Sequence, residues 1–305
     1  MKKVVLFLFT FIAMQSAFAQ KEVLKNKEDS LRVGWWERKT QLGFNVSGAA
    51  FNKSWQGGGV NNLSLGTYFN NLSIFTKGKG VWTNDAQLQY GRLSNFYQDK
   101  TKESRKGVDR IFLESKYSRV VKKELNWFSS LNFLSQFDKG TDYSSATRPT
   151  ISKFLHPGFL TLASGFEWKP KPYMVAQLGL AVRTTFISDD VTITKLYGVD
   201  SGKTTKTEGG IQPVLTFDKD IIKNVNLKAR YQGFWAFNKA PKELDSNLNL
   251  IATAKINKYL NVNLTGVFIR DLDQVSSTSK DAAGNKYPSV WQYTGGFNVG
   301  FSVKL

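Results

Sequence analysis

The chain has 305 residues, no cysteine, one histidine and 42 basic against 24 acidic side chains, a formal net charge of +18. The absent thiols exclude disulfides, and a lone imidazole excludes any metal site that needs two and leaves zinc without its usual ligands. Mildly negative mean hydropathy excludes a bundle of transmembrane helices, while the basic excess favours anionic partners.

The chain opens with a secretory leader. Lys2 and Lys3 form a basic n-region, Val4 to Ala13 an apolar h-region, and Ala17-Phe18-Ala19 a small-x-small cleavage site, which makes residues 1–19 a signal peptide. The apolar run is shorter than the roughly 20 residues a membrane-spanning helix needs. Export makes nucleic acid a poor partner. Residues 20–40 read as a short periplasmic N-terminal segment and residues 41–305 as one β-domain.

That domain alternates apolar and polar residues through about twelve segments. In Gln41 to Phe51 the apolar face carries Leu42, Phe44 and Val46; in Val60 to Phe75 it carries Leu63, Leu65 and Phe69. Val81 to Leu93 sets Trp82, Ala86, Leu88 and Tyr90 against Thr83, Asp85, Gln87 and Gln89. Gly107 to Val120, Leu125 to Phe137, Leu155 to Trp168, Pro172 to Ile187 and Thr205 to Asp218 follow. Proline cannot donate to a ladder, so Pro213 predicts a bulge. Lys223 to Asn238, Ser246 to Asn257, Tyr259 to Asp271 and Trp291 to Leu305 complete the set.

The connections alternate in length. Thr76 to Gly80, Val121 to Glu124, Lys169 to Lys171, Lys219 to Ile222 and Lys258 are brief, whereas Ser94 to Lys106, Asp138 to Phe154, Ser188 to Thr204 and Leu272 to Val290 are long. Asn52 to Gly59 and Lys239 to Leu244 join the long set as its shortest members. This predicts an all-β, antiparallel transmembrane barrel of about 12 strands with both termini on the short-turn side, the periplasm of a diderm envelope. Trp82, Trp127, Trp168, Tyr173, Tyr259, Trp291 and Tyr293 near segment ends fit the aromatic girdles of such a barrel. Periodicity alone does not tell inside from outside, and a soluble sandwich or calyx would show the same alternation. The last segment is apolar on one face to Leu305, the kind of terminal strand that barrel assembly machinery recognises. Outer-membrane lipid and lipopolysaccharide are the remaining expected partners; oligomeric state is not readable.

Trp55-Gln56-Gly57-Gly58-Gly59-Val60-Asn61 fits W-x-x-G-G-x-N, with further short pieces at Tyr90-Gly91, Asp109-Arg110, Gln136-Phe137, Ser152-Lys153-Phe154 and Lys169-Pro170. In these residues, with Trp55, Gly58, Gly59 and Asn61 as the signature, the chain resembles an uncharacterised family of exported, predicted outer-membrane barrels, a domain of unknown function. The resemblance implies the fold and the envelope location, and it brings no established activity. His156 stands where a small residue such as serine would be expected before the proline.

No motif points to catalysis or a cofactor. His156-Pro157-Gly158 reads as a strand entry, the three glycines lack the strand-to-helix context and Lys-Ser/Thr pair of a phosphate loop, and Asp271, Asp273 and Asp281 lack the spacing of a calcium loop. No cofactor, metal or enzyme activity is expected. If the apolar face meets lipid, Arg183, Lys228, Arg230 and Lys255 point into the lumen, together with Glu114, Lys116 and Glu167. Phe112, Phe128 and Phe234 share that parity. Such a basic lumen would concentrate anions, the signature of a passive channel for small polar or anionic solutes. The alternative is a non-conducting structural or lipid- and partner-binding barrel whose interior charges pair with one another. A lipid-modifying enzyme built on His156 comes third.

Overall fold

The computed structural model describes residues 34–52, 54, 56, 59–97, 99, 101–143, 146–188, 197–200, 202–257, 260–271 and 291–301. The leader, Trp55, Gly58, Tyr259, Asp273, Asp281 and the end of the chain from 302 lie outside them. One antiparallel sheet of twelve strands dominates: β1 (Trp36–Ala49), β2 (Asn61–Lys77), β3 (Gly80–Phe96), β4 (Lys102–Lys122), β5 (Leu125–Ser135), β8 (Gly158–Lys171), β9 (Met174–Phe186), β10 (Thr205–Ile222), β11 (Val225–Ala236), β12 (Asp245–Lys255), β13 (Leu260–Arg270) and β14 (Gln292–Phe301). Each pairs with its neighbour in that order. The short strands β6 (Gly140–Thr141) and β7 (Thr150–Ser152) form a separate ribbon in the loop after β5.

The sheet is rolled. Asp85 on β3 and Arg230 on β11 are electrostatic neighbours, yet six ladder steps separate their strands, roughly 29 Å across a flat sheet. Among the described residues no ladder joins β1 to β14.

Burial is inverted relative to a soluble β-protein. Leu131, Leu162, Phe166, Leu178, Leu180, Val182 and Leu215 are exposed, Leu162 by 53% and Leu180 by 65%, whereas Asn70, Asp85, Gln87, Gln89, Ser130, Thr161, Glu167 and Gln212 are buried. The two sets alternate along the same strands. The convex face is therefore apolar and the concave face polar.

Tight connections at residues 78–79, 123–124, 172–173 and 223–224 close one end, where Gly78 and Asn224 take left-handed backbone conformations. β1 enters and β14 leaves at this end, since Trp36 pairs with Phe75 and Phe301 with Leu260. Just above these turns the outer face carries an all-aromatic rung across four strands, with Trp36 opposite Phe75, Phe75 opposite Trp82 and Trp82 opposite Tyr117. Tyr117 meets Trp127 edge-on at 6.2 Å, and Trp168 is exposed on β8.

Three expectations are corrected. β1 begins at Trp36 rather than Gln41, because Trp36 seats its ring 5.3 Å from that of Phe75. The segment Ser94 to Lys106 is mostly ladder: β3 and β4 run past the expected boundaries and leave only residues 97–101 as the turn, with Gly107 as the extra residue of a bulge opposite Gly91 and Arg92. Pro213 makes no bulge. It pairs in register with Leu178, and the register to β11 is the same on both sides of it. Gly233 on β11 makes room, since a Cβ there would meet the Pro213 ring at 2.9 Å.

Candidate functional site

The concave face is the candidate site, and it is built as charge knots at different heights. Nearest the tight turns, Glu167 of β8 is 0% exposed and sits 3.0 Å from Lys116 Nζ and 2.6 Å from Lys169 Nζ, while Asn126 and Gln177 donate to it at 3.1 and 2.6 Å. Four donors from β4, β5, β8 and β9 thus converge on one carboxylate. Burial of an anion is tolerable only with such compensation.

Lys228 and Arg230 of β11 lie beside a small cavity with Thr216, Asp218, Asn249 and Ile251. Lys228 Nζ is 3.5 Å from Asp218, whose other oxygen accepts from Asn226 at 2.9 Å. Arg230 reaches the field of Asp85, which also feels Arg110 and Glu114. Nearer the long loops, Arg183 of β9 forms ion pairs with Asp245 at 2.7 Å and Glu208 at 3.6 Å, and its guanidinium stacks 4.0 Å from the Phe234 ring centroid. Lys206 and Lys239 complete the shell of Glu208 at 3.0 and 3.6 Å.

Apolar side chains fill the space between knots. Phe128, Ala163, Ala181, Phe234 and Ala236 form one buried cluster. The Phe128 ring lies over Gly179, and that of Phe234 over Gly210, so backbone without Cβ receives each ring. At the long-loop end Tyr197 folds in against Phe159, edge-on at 6.2 Å, beside buried Ile187 and Val199. Burial pushes the Tyr197 hydroxyl up to about 12.

Of the four basic residues expected in the lumen, the structure brings Arg183, Lys228 and Arg230 to the concave face and leaves Lys255 exposed at the tight-turn rim, as the last residue of β12. Nor do the three form a ring. Arg183 faces Glu208 and Lys228 faces Asp218, positions about 33 Å apart along β10 by extended rise. The sequence reading missed Glu208, Asp218 and Asp245 as their counter-charges; inward parity on β10 and the ladder pairs Arg183 with Glu208 and Lys228 with Asp218 carry that signal.

In the signature loop, Gly59 has φ +137° with the Phe51 ring packed where its Cβ would stand, and Asn61 Oδ1 accepts from the Phe51 amide. This ties the two ends of the loop together. His156 is held through its main chain: its amide and carbonyl pair with Lys153, and Gln136 Nε2 donates to its carbonyl at 2.7 Å. The loop of residues 136–157 is fastened to β3 and β4. Asp109 accepts from the Phe137 and Asp138 amides, and Asp138 accepts from Tyr90 and Arg92, both at 2.8 Å. The Tyr90 hydroxyl, with the Lys139 amide, holds the Asp138 carboxyl below the usual carboxylate range.

With this geometry in hand, comparison with known proteins adds a family without an activity. Residues 46–140 match a family described as Protein of unknown function (DUF3078). The matched stretch runs from β1 to β6. No curated protein matches the chain. Among solved structures, the translocator domain of autotransporter NalP from Neisseria meningitidis is similar at 11% identity over 88% of this chain and 87% of that one, with a TM-score of 0.35.

Proposed function

We propose that this chain is an outer-membrane β-barrel with a sealed interior, a non-conducting barrel that supports the envelope or holds a lipid or protein partner. Short turns and both termini face the periplasm, and the long loops face outward. The observation that carries this reading is the pairing of an exposed apolar convex face with a concave face on which Arg183, Lys116 and Lys228 are paired with carboxylates and the Phe128 and Phe234 rings are packed. Gln87 is 1% and Phe128 3% exposed on that concave face, so both side chains are packed against neighbours rather than bathed in lumen water. A passive anion channel would need unmatched basic residues around a water-filled lumen. Here Arg183 and Lys228 are tied to carboxylates.

The leader and the alternating connections support the location, and His156 is given no catalytic part. The test is heat-modifiable gel mobility of the purified protein, followed by planar-bilayer recording. The barrel shifts in mobility and inserts without current steps. A steady ohmic conductance would restore the channel reading, and a detergent-independent soluble monomer would remove the membrane reading altogether.

A further inference from the structure

The tight-turn end carries a pattern that the sealed interior does not use. Lys77 precedes and Lys79 lies in the first turn, Lys122 precedes and Lys123 lies in the second, Lys171 precedes the third, and Lys219 precedes and Lys223 lies in the fourth, all of them exposed. Glu124 and Asp220 are the only carboxylates in those same turns. The opposite end differs: there Glu103 pairs with Arg105 and Arg148, Asp138 with Arg92, and Asp200 with Lys203. The four tight turns thus present seven exposed lysines against two carboxylates.

The position of the lysines says what they meet. Phe75 and Lys77 share a strand and a face, as do Tyr117 and Arg119, so Lys77 and Arg119 follow directly below the all-aromatic rung on the outer surface of β2 and β4. Indole and phenol rings favour the boundary between hydrocarbon and headgroups, and a cation one step beyond them stands at phosphate depth. The charges lie around the circumference and beyond the girdle, which suits lipid headgroups packed around the barrel better than a ligand bound at its mouth. Ile221 and Ile222 are exposed beside Lys223, an apolar anchor at the same level.

We propose that this lysine collar is a binding site for the phosphates of anionic phospholipids in the leaflet at the tight-turn side. The proposal rests on the membrane-barrel reading. Each engaged lysine favours an anionic over a zwitterionic neighbour by about fivefold at most, an effect that salt weakens.

The experiment reconstitutes the full mature chain in nanodiscs of mixed phosphatidylglycerol and phosphatidylcholine, then counts retained lipids by native mass spectrometry. The wild type retains phosphatidylglycerol several-fold over its bulk fraction. The variant K77Q/K79Q/K122Q/K123Q/K171Q/K219Q/K223Q falls to within about twofold of bulk, whereas K102Q/K139Q/K203Q at the other end retains the preference. Heat-modifiable mobility is read on every sample. An inserted, heat-modifiable wild type with no lipid preference overturns the collar alone. Failure to insert overturns the barrel beneath it. Loss of preference in both variants alike assigns the effect to net charge and overturns the collar. Capture of a soluble acidic polymer by the collar, with no lipid preference, assigns the site to a periplasmic partner instead.

Discussion

Asp85 and Arg230 interact across the interior from strands six ladder steps apart. Opposite charges at that sequence distance are brought together only by curvature of the whole sheet. Curvature, rather than nearness in sequence, thus decides which interior charges meet.

Arg183→Met removes the ion-pair partner of Asp245, while Glu208 keeps Lys206 and Lys239. Stranding a buried carboxylate costs about 3–5 kcal/mol, so the urea midpoint of the heat-modifiable fraction falls. The double variant with Asp245→Asn regains most of the loss. An unchanged midpoint in the single variant would show that these pairs are solvated.

Leu180→Arg places a charge on the exposed convex face. In bilayers the cost is about 2–4 kcal/mol near the midplane, while on a water-facing surface it stays within about 0.5 kcal/mol. Unfolding from vesicles measures which applies. A negligible cost would mean that this face meets water.

Gly165→Ala introduces a Cβ into the Leu178 carbonyl oxygen, a clash with backbone that no rotamer relieves. The variant loses the folded gel band. Gly202→Ala, in a loop with open space around the Cβ but a φ of +81°, keeps the band with only a modest loss of stability.

The tether of residues 136–157 depends on ionised Asp138. Its carboxyl is depressed in the folded chain, so the contribution is fully present above the ordinary aspartate value and is lost as pH falls through the lower, folded one. Proteolytic nicking of that loop stays slow from neutral down to the ordinary carboxylate range and accelerates only in stronger acid. Asp138→Asn is nicked faster than the wild type at neutral pH. Acceleration of wild-type nicking already near pH 6 would contradict the assignment.

Strand parity was legible because a sheet with one apolar and one polar face imposes a period of two on every strand, and Leu162, Leu180 and Gln87 fall where that period places them. The boundaries were less legible. Ser94 and Lys106 are polar, and hydropathy has no means of seeing that hydrogen bonding carries β3 and β4 beyond the apolar belt. Lys255 was misplaced because parity gives direction but no height. Counter-charges such as Asp245 were invisible because they lie on strands that are distant in sequence from Arg183. The proline at 213 misled because its accommodation depends on Gly233 of another strand.

Glu167 has a consequence for assembly. A slip of two residues preserves every inside and outside assignment, so the alternation alone does not oppose it. Such a slip would carry donors on β4, β5 and β9 away from this carboxylate by about 6.6 Å. A mis-threaded sheet would then leave the buried anion with Lys169 of its own strand as its remaining partner. Glu167 therefore penalises the one class of register error to which hydropathy is blind.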